Sequence, residues 1–233
     1  MKKYITLTAL LAAGTACANA GTENIVLGGT TYTATDVSFA LVGNNSGNYG
    51  ENDEDGVFLK NGRATIDMAS DIADDWLVSF TVTSDSNPQV VFSTSTKNSS
   101  TEGEFGGYNI YYKEGSLALR NGSTQIGDAD ENVGNSATCY LWCYNEVLTL
   151  GYKSESGNIV TVASTGSIAD GVTLKASSSA TAAEVAKFWT AGGKNTFSNI
   201  NVQTLVAVPE PSAFGMLAGL GALALVASRR RRK

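Results

Sequence analysis

The chain has 233 residues, with 16 Lys+Arg, 22 Asp+Glu, no histidine and three cysteines. Its formal charge of −6 hides an asymmetry, because residues 21–208 hold nine of the cations and twenty-one of the carboxylates. So acidic a body repels phosphate backbones and excludes nucleic acid as a partner, and the missing histidine excludes Ser-His-Asp and Cys-His catalysis and every His-containing zinc site. Neutral polysaccharide, divalent cations, or simple solubility outside the cell all remain compatible with it.

At the start, Lys2 and Lys3 precede an apolar run from Ile5 to Ala13, and Ala18-Asn19-Ala20 is a small-x-small cleavage site. This is the pattern of a secretory signal peptide over residues 1–20, which signal peptidase removes to leave a chain starting near Gly21. Cys17 leaves with it. Gly14, three residues before Cys17, is not the Leu-like residue of a lipoprotein signal.

Residues 21–207 are rich in Ser, Thr, Gly and Asn and contain short alternating runs, the mark of antiparallel sheets. Roughly 190 residues suffice for one domain with a sizeable core. Val37–Leu41 and Ala64–Met68 alternate. Between them, Asn44 to Gly56 is the densest cluster of oxygen ligands, where Glu51, Asp53 and Asp55 alternate before Gly56. Glu51 replaces the initial Asp of an EF-hand loop and Gly62 its final Glu, so an EF-hand is rejected. Two readings stand: a calcium-binding sandwich loop, or a solvated acidic loop. Asp128, Asp130 and Glu131 form a second, sparser cluster.

Trp76–Val82 puts Trp76, Val78, Phe80 and Val82 on one face, and Gln89–Thr94 reads as its neighbour. Tyr108–Tyr112 turns through Lys113-Glu114-Gly115 into Ser116–Arg120, with Asn121-Gly122 closing the next turn. Tyr111 points off the Tyr108/Ile110/Tyr112 face and is a candidate for stacking on a ligand. In Cys139-Tyr-Leu-Trp-Cys-Tyr144, strand periodicity places Tyr140, Trp142 and Tyr144 on one face and Cys139, Leu141 and Cys143 on the other. The aromatic face can stack sugar rings or be core. Cys139 and Cys143 suit an oxidising compartment as a disulfide, but positions four apart on a straight strand are about 13 Å apart against the roughly 7 Å limit of a bridge. A bridge therefore needs a turn or bulge between them.

Val147–Lys153 pairs with Ile159–Val162 across Glu155 to Asn158. Thr181-Ala-Ala-Glu184 is a capping box, which predicts one short helix over 181–190, with Trp76 and Trp189 in the core. Phe197–Leu205 is the last strand. Many strands with one short helix indicate an all-β, two-sheet antiparallel sandwich or jelly roll.

The tail, residues 208–233, is an address. Pro209-Glu210-Pro211 precedes an uncharged run from Ala213 to Ala227, and Arg229, Arg230, Arg231, Arg232 and Lys233 close the chain. As a transmembrane helix that run covers about 23 Å, short of the roughly 30 Å hydrocarbon core. The cations hold its end in the cytoplasm and leave Pro209-Glu210-Pro211 just outside.

Val208-Pro-Glu-Pro-Ser212, the Gly/Ala/Leu run and the Arg cluster together resemble the PEP-CTERM sorting signal of exported bacterial proteins. That resemblance implies an exosortase as processing partner, with Pro209, Glu210 and Pro211 as recognition residues. It also implies a transient stay in the inner membrane before the cell surface, outer membrane or extracellular matrix. The body resembles the concanavalin A-like lectin/glucanase superfamily, in its laminin-G-like branch, through Trp76–Val82, Tyr108–Arg120, Val147–Val162 and Phe197–Val202. Ser198 stands where an Asp is common in the closing strand. This resemblance implies exopolysaccharide or another glycan as ligand. Catalytic members carry Glu-x-Asp-x-x-Glu, and here Gly56 fills the last Glu position after Glu51 and Asp53. The expectation is a non-catalytic surface or matrix protein whose lectin-like domain binds carbohydrate. The alternatives are a purely structural or adhesive coat protein and a glycan hydrolase.

Overall fold

A computed structural model of the chain describes residues 21–43, 49–52, 56–60, 63–73, 75–84, 92–94, 107–168, 172–176, 186–189 and 194–209. Sixteen strands lie among the described residues: β1 (Thr22–Leu27), β2 (Thr30–Asp36), β3 (Phe39–Gly43), β4 (Tyr49–Asn52), β5 (Gly56–Lys60), β6 (Arg63–Met68), β7 (Trp76–Ser84), β8 (Phe92–Ser93), β9 (Tyr108–Lys113), β10 (Ser116–Asn121), β11 (Thr124–Asp128), β12 (Ser136–Tyr144), β13 (Val147–Lys153), β14 (Ile159–Ser164), β15 (Lys187–Trp189) and β16 (Lys194–Ala207). They form two antiparallel sheets. One runs β1-β2-β16-β7-β12-β13-β14, with β5 and β4 added beside the first half of β16; the other runs β11-β10-β9-β8-β15-β6-β3. β16 is long enough to pair with β5 through Lys194–Ser198 and with β2 through Gln203–Ala207, while β7 lines its other edge.

The predicted alternation places the core. Trp76, Val78, Phe80 and Val82 of β7 are all fully buried. They meet the second sheet around four phenylalanines. Phe80 lies 5.0 Å from Phe188, 5.9 Å from Phe92 and 6.0 Å from Phe197, and Phe188 lies 4.9 Å from Phe197. Two of these rings come from each sheet, so the cluster joins the two layers at distances where aromatic pairs attract. Two buried polar tips are satisfied by backbone: the Trp76 indole N–H donates to the Val172 carbonyl, and the Tyr112 hydroxyl to that of Gly134.

Two expectations change, and one hairpin is new. Phe188 lies in β15, not in a helix. Residues 187–189 pair with Arg63–Thr65 of β6, and Lys187 pairs with Ser93 of β8. The gap between β8 and β6 needs a strand to complete the sheet, and burying Phe188 there outweighs the local helix signal; residues 181–185 lie outside the described residues, as does the Trp189 side chain. β8 is not the neighbour of β7, whose partners are β16 and β12; it faces β7 from the other sheet. And β1 and β2, unread in the sequence, form a hairpin of the first sheet with Leu27 paired to Thr30. Its two turn residues, Gly28 and Gly29, have φ of 55° and 85°, the paired positive values of a tight type I′ turn.

Candidate functional site

The period-two alternation of β12 separates two environments. Cys139, Leu141 and Cys143 are fully buried in the core between the sheets. Tyr140, Trp142 and Tyr144 face outward, where they meet a second, smaller apolar cluster with Leu27, Tyr32, Ala34, Leu77 and Leu205. The outer face of this sheet is therefore neither plain core nor open surface.

Its ends come together. β1 and β14 stand six strand intervals apart, about 29 Å along a flat sheet. Yet a Cβ built on Gly28 would lie 3.9 Å from Thr161 Oγ1 of β14 and 3.7 Å from Trp142 Cζ2. The sheet curls, and the β1–β2 turn leans over the end of β12. Below it is a groove of about 460 Å³ whose lining includes Leu27, Thr30, Tyr32, Trp142, Tyr144 and Asn145, with Val147 and Thr149 from β13 and Thr161 and Ser164 from β14. Tyr32 meets Tyr144 edge to face at 4.9 Å. The hydroxyls of Thr149 and Ser164 share a hydrogen bond of 2.9 Å.

Trp142 is only 4% exposed and forms the floor. It can lie across β13 because Gly151 has no side chain: a Cβ there would come within 3.1 Å of Trp142 Cζ3 and 2.9 Å of the Val160 carbonyl. The wall beside Tyr144 is set by the turn into β13, where Asn145 and Glu146 both take positive φ, 47° and 64°. The Asn145 amide donates to Asp75 Oδ1 at 3.1 Å, and Glu146 accepts from the Ser167 hydroxyl at 2.8 Å. These bonds hold a turn that L-residues other than Asn and Asp seldom adopt. Burial pushes the Tyr32 phenol above its ordinary pKa, with Tyr144 and Asp75 nearby adding to the shift. None of the described lining residues is charged, and together they offer aromatic edges and neutral hydroxyls.

The structure gathers some of the predicted residues and separates others. Trp142 and Tyr144 line the groove. Tyr140 stands on the same face of β12 but beside Glu23; its phenol is raised by burial first and then by the Glu23 charge. Tyr111 belongs to the other sheet, and the Arg120 guanidinium covers its ring at 3.5 Å from the centroid. Glu51 is on β4 opposite Val57; its side chain and all of Asp53 and Asp55 lie outside the described residues. The carboxylates of Asp128, Asp130 and Glu131 form no metal-ligand group: Glu131 accepts a hydrogen bond from the Tyr152 hydroxyl. Cys139 and Cys143 are not bridged. β12 runs in unbroken register from Cys139 to Tyr144 against β13, with no turn or bulge to bring the sulfurs together. Burial pushes the Cys139 thiol up to about 12. Sequence reasoning missed Leu27, Thr30 and Tyr32; the Gly28-Gly29 pair between β-branched runs was the available signal.

Similarities to known proteins agree with this architecture. Residues 207–232 match the PEP-CTERM protein-sorting motif; of these only 207–209 are among the described residues, and no helix among the described residues is long and apolar enough to cross a membrane. No curated protein matches the chain in sequence. Among solved structures, the exoplasmic/lumenal domain of VIP36 in its Ca2+/Man2-bound form aligns at a TM-score of 0.52 with 8% identity, over 74% of this chain and 82% of that one. Its Ca2+-bound form aligns at 0.50 with 9% identity, over 74% and 85%. A seed lectin of Lotus tetragonolobus aligns at 0.45 with 8% identity, over 74% and 94%. Identities this low speak for the fold alone. The body thus has a two-sheet antiparallel β-sandwich fold, shared with the VIP36 domain. The chain that bears it is an exported protein, carrying at its C-terminus the sorting signal that an exosortase processes.

Proposed function

We propose that this protein is a cell-surface or matrix component that binds neutral carbohydrate, without catalysis, in the groove beneath the β1–β2 turn. The observation that supports this reading is the lining. Tyr144 presents aromatic surface above the buried rings of Tyr32 and Trp142, beside the hydroxyls of Thr30, Thr149, Thr161 and Ser164, and none of the described lining residues is charged. Pyranose rings combine apolar C–H faces with hydroxyl rims, and such a surface matches both parts. An anionic glycan would find no cation among the described lining residues and an acidic body around them. Hydrolysis by the usual two-carboxylate route has no carboxylate to use among these residues.

Calcium is part of the reading only at Glu51, Asp53 and Asp55. The side chains of all three lie outside the described residues. The solved VIP36 structures do contain Ca2+.

A glycan array probed with residues 21–209, with calcium and with chelator, tests the proposal. Binding of neutral glycans that weakens on Tyr144→Ala supports it. No binding under either condition, from a chain shown to be folded, refutes it and favours a coat protein without a small ligand.

A further inference from the structure

Gly21, the first described residue, is held from both sides by Asp36. Its N–H donates to Asp36 Oδ2 at 3.1 Å, and its carbonyl accepts from the Asp36 amide at 3.0 Å. The other carboxylate oxygen, Oδ1, accepts from Asn201 Nδ2 at 3.1 Å and Gln203 Nε2 at 2.8 Å. Gln203 is 2% exposed and also donates to Glu23 at 3.1 Å. Two carboxylates are thus bridged by one buried amide, and the partners described for Asp36 are all neutral. Burial alone would raise the Asp36 carboxyl; the bonds from Asn201, Gln203 and Gly21 outweigh it and hold the group below its ordinary value, as a carboxylate.

Gly21, which Asp36 holds, is also the first residue after the Ala18-Asn19-Ala20 cleavage motif. These are independent facts, one from the sequence and one from the packing of β2 and β16. We infer that Asp36 is a built binding site for the mature N-terminal ammonium of this chain. Signal peptidase adds water across the Ala20–Gly21 bond, leaving a carboxylate on Ala20 and an ammonium on Gly21. The nitrogen that donated one hydrogen as an amide then donates up to three and bears a positive charge that none of the described hydrogen-bond partners of Asp36 and Glu23 carries. The site is selective in register. Consecutive Cα atoms are about 3.8 Å apart, so cleavage one residue away removes the ammonium from hydrogen-bonding distance. Processing at the head is in this way joined to closure of the sheet edge where β1, β2 and β16 meet.

The titratable groups facing this corner are Asp36 of β2, Glu23 of β1 and, through Glu23, Tyr140 of β12. All three favour the protonated amine or are neutral. An α-amino group ordinarily titrates at about 7.7–8.0, and a nearby carboxylate raises that value.

The test uses the chain as exported by cells. Mass spectrometry should find Gly21 first. Cyanate, which carbamylates only unprotonated amines, is then applied across pH 6 to 9 to folded and urea-unfolded chain. The folded α-amine should react about tenfold more slowly at pH 7, with its pH profile displaced upward by about one unit. Asp36→Asn should restore the unfolded rate. Should that variant not fold, the comparison of folded with unfolded unsubstituted chain decides alone. A first residue other than Gly21, or equal rates in the two states, overturns the inference.

Discussion

Adding a single methyl at Gly151 sets two known effects against each other. Gly151 has no positive φ, so alanine fits its backbone, and removing a glycine stiffens the unfolded chain, a gain of about 0.4–1 kcal/mol. Against this, the new Cβ would stand 2.9 Å from the Val160 carbonyl, 3.1 Å from Ile159 Cγ2 and 3.1 Å from Trp142 Cζ3. Carbon contacts are optimal at about 3.5–4.0 Å, so three neighbours on two elements must retreat by roughly half an ångström. Overpacking of this kind costs about 1–3 kcal/mol. The net expectation is a loss of about 1–2 kcal/mol, which for a domain of this size lowers Tm by roughly 2–8 °C. Because Trp142 is the movable neighbour, the groove floor should shift, changing tryptophan fluorescence in the folded state. Gly166→Ala is the control: nothing lies within 4 Å of its added Cβ, and its Tm should hold or rise slightly. The assay is thermal unfolding by circular dichroism with emission spectra on the same samples. A Gly151→Ala protein as stable as Gly166→Ala, with unchanged emission, would refute the close packing of Trp142 on β13.

Phe188→Ala, at the junction of the two sheets, should cost about 3–5 kcal/mol in urea unfolding; a loss under 1 kcal/mol would contradict its place in the phenylalanine cluster. Neither Cys139 nor Cys143 should react with a thiol reagent in the folded domain, and both should react after denaturation, because both are fully buried and the Cys139 thiol is pushed up to about 12; mass spectrometry showing two hydrogens missing would reveal a bridge instead. Tyr112, through burial, and Tyr152, chiefly through its hydrogen bond to Glu131, titrate at about 12 rather than at 10.0. Their folded values are raised, so their contribution to stability is full below about pH 10 and is lost as pH climbs towards 12; a denaturation midpoint flat across that window would refute it. Tyr144→Ala should weaken glycan binding at least tenfold by calorimetry, whereas Tyr111→Ala, whose ring lies under Arg120 on the other sheet, should leave it unchanged.

Local pattern was enough to place the strands whose faces differ. Alternation in Trp76–Val82 predicted the four residues that β7 turns into the core between the sheets, though not that Leu77 is buried on the other face, and turn chemistry predicted the β9–β10 and β13–β14 hairpins, because such pairings are short in sequence and depend on residues within reach of one another. Where a segment's partner is distant, local signal misled. The capping box at Thr181 to Glu184 argued for a helix through Phe188, yet the slot between β8 and β6 made residues 187–189 a strand. Nothing near residue 90 told that β8 would cross to the opposite sheet. Spacing alone did show that Cys139 and Cys143 need a bend to meet; only the pairing of β12 with β13 showed that no bend is there.

The same division holds for the whole protein. Its sequence by itself determined that this is a two-sheet β-protein with an acidic body and an exosortase sorting signal, since charge, alternation and a contiguous terminal motif are all readable in one dimension. It also singled out Trp142 and Tyr144. The groove is a product of tertiary structure alone: curling of a seven-strand path brings Gly28 over Trp142 and against Thr161, residues more than a hundred positions apart, and Gly151 leaves room for the indole beneath. Likewise Asp36 meets Gly21, Asn201 and Gln203 only because β2 lies between the first strand and the last. Contacts between strands remote in sequence depend on sheet order and register, and no short stretch of the chain encodes either.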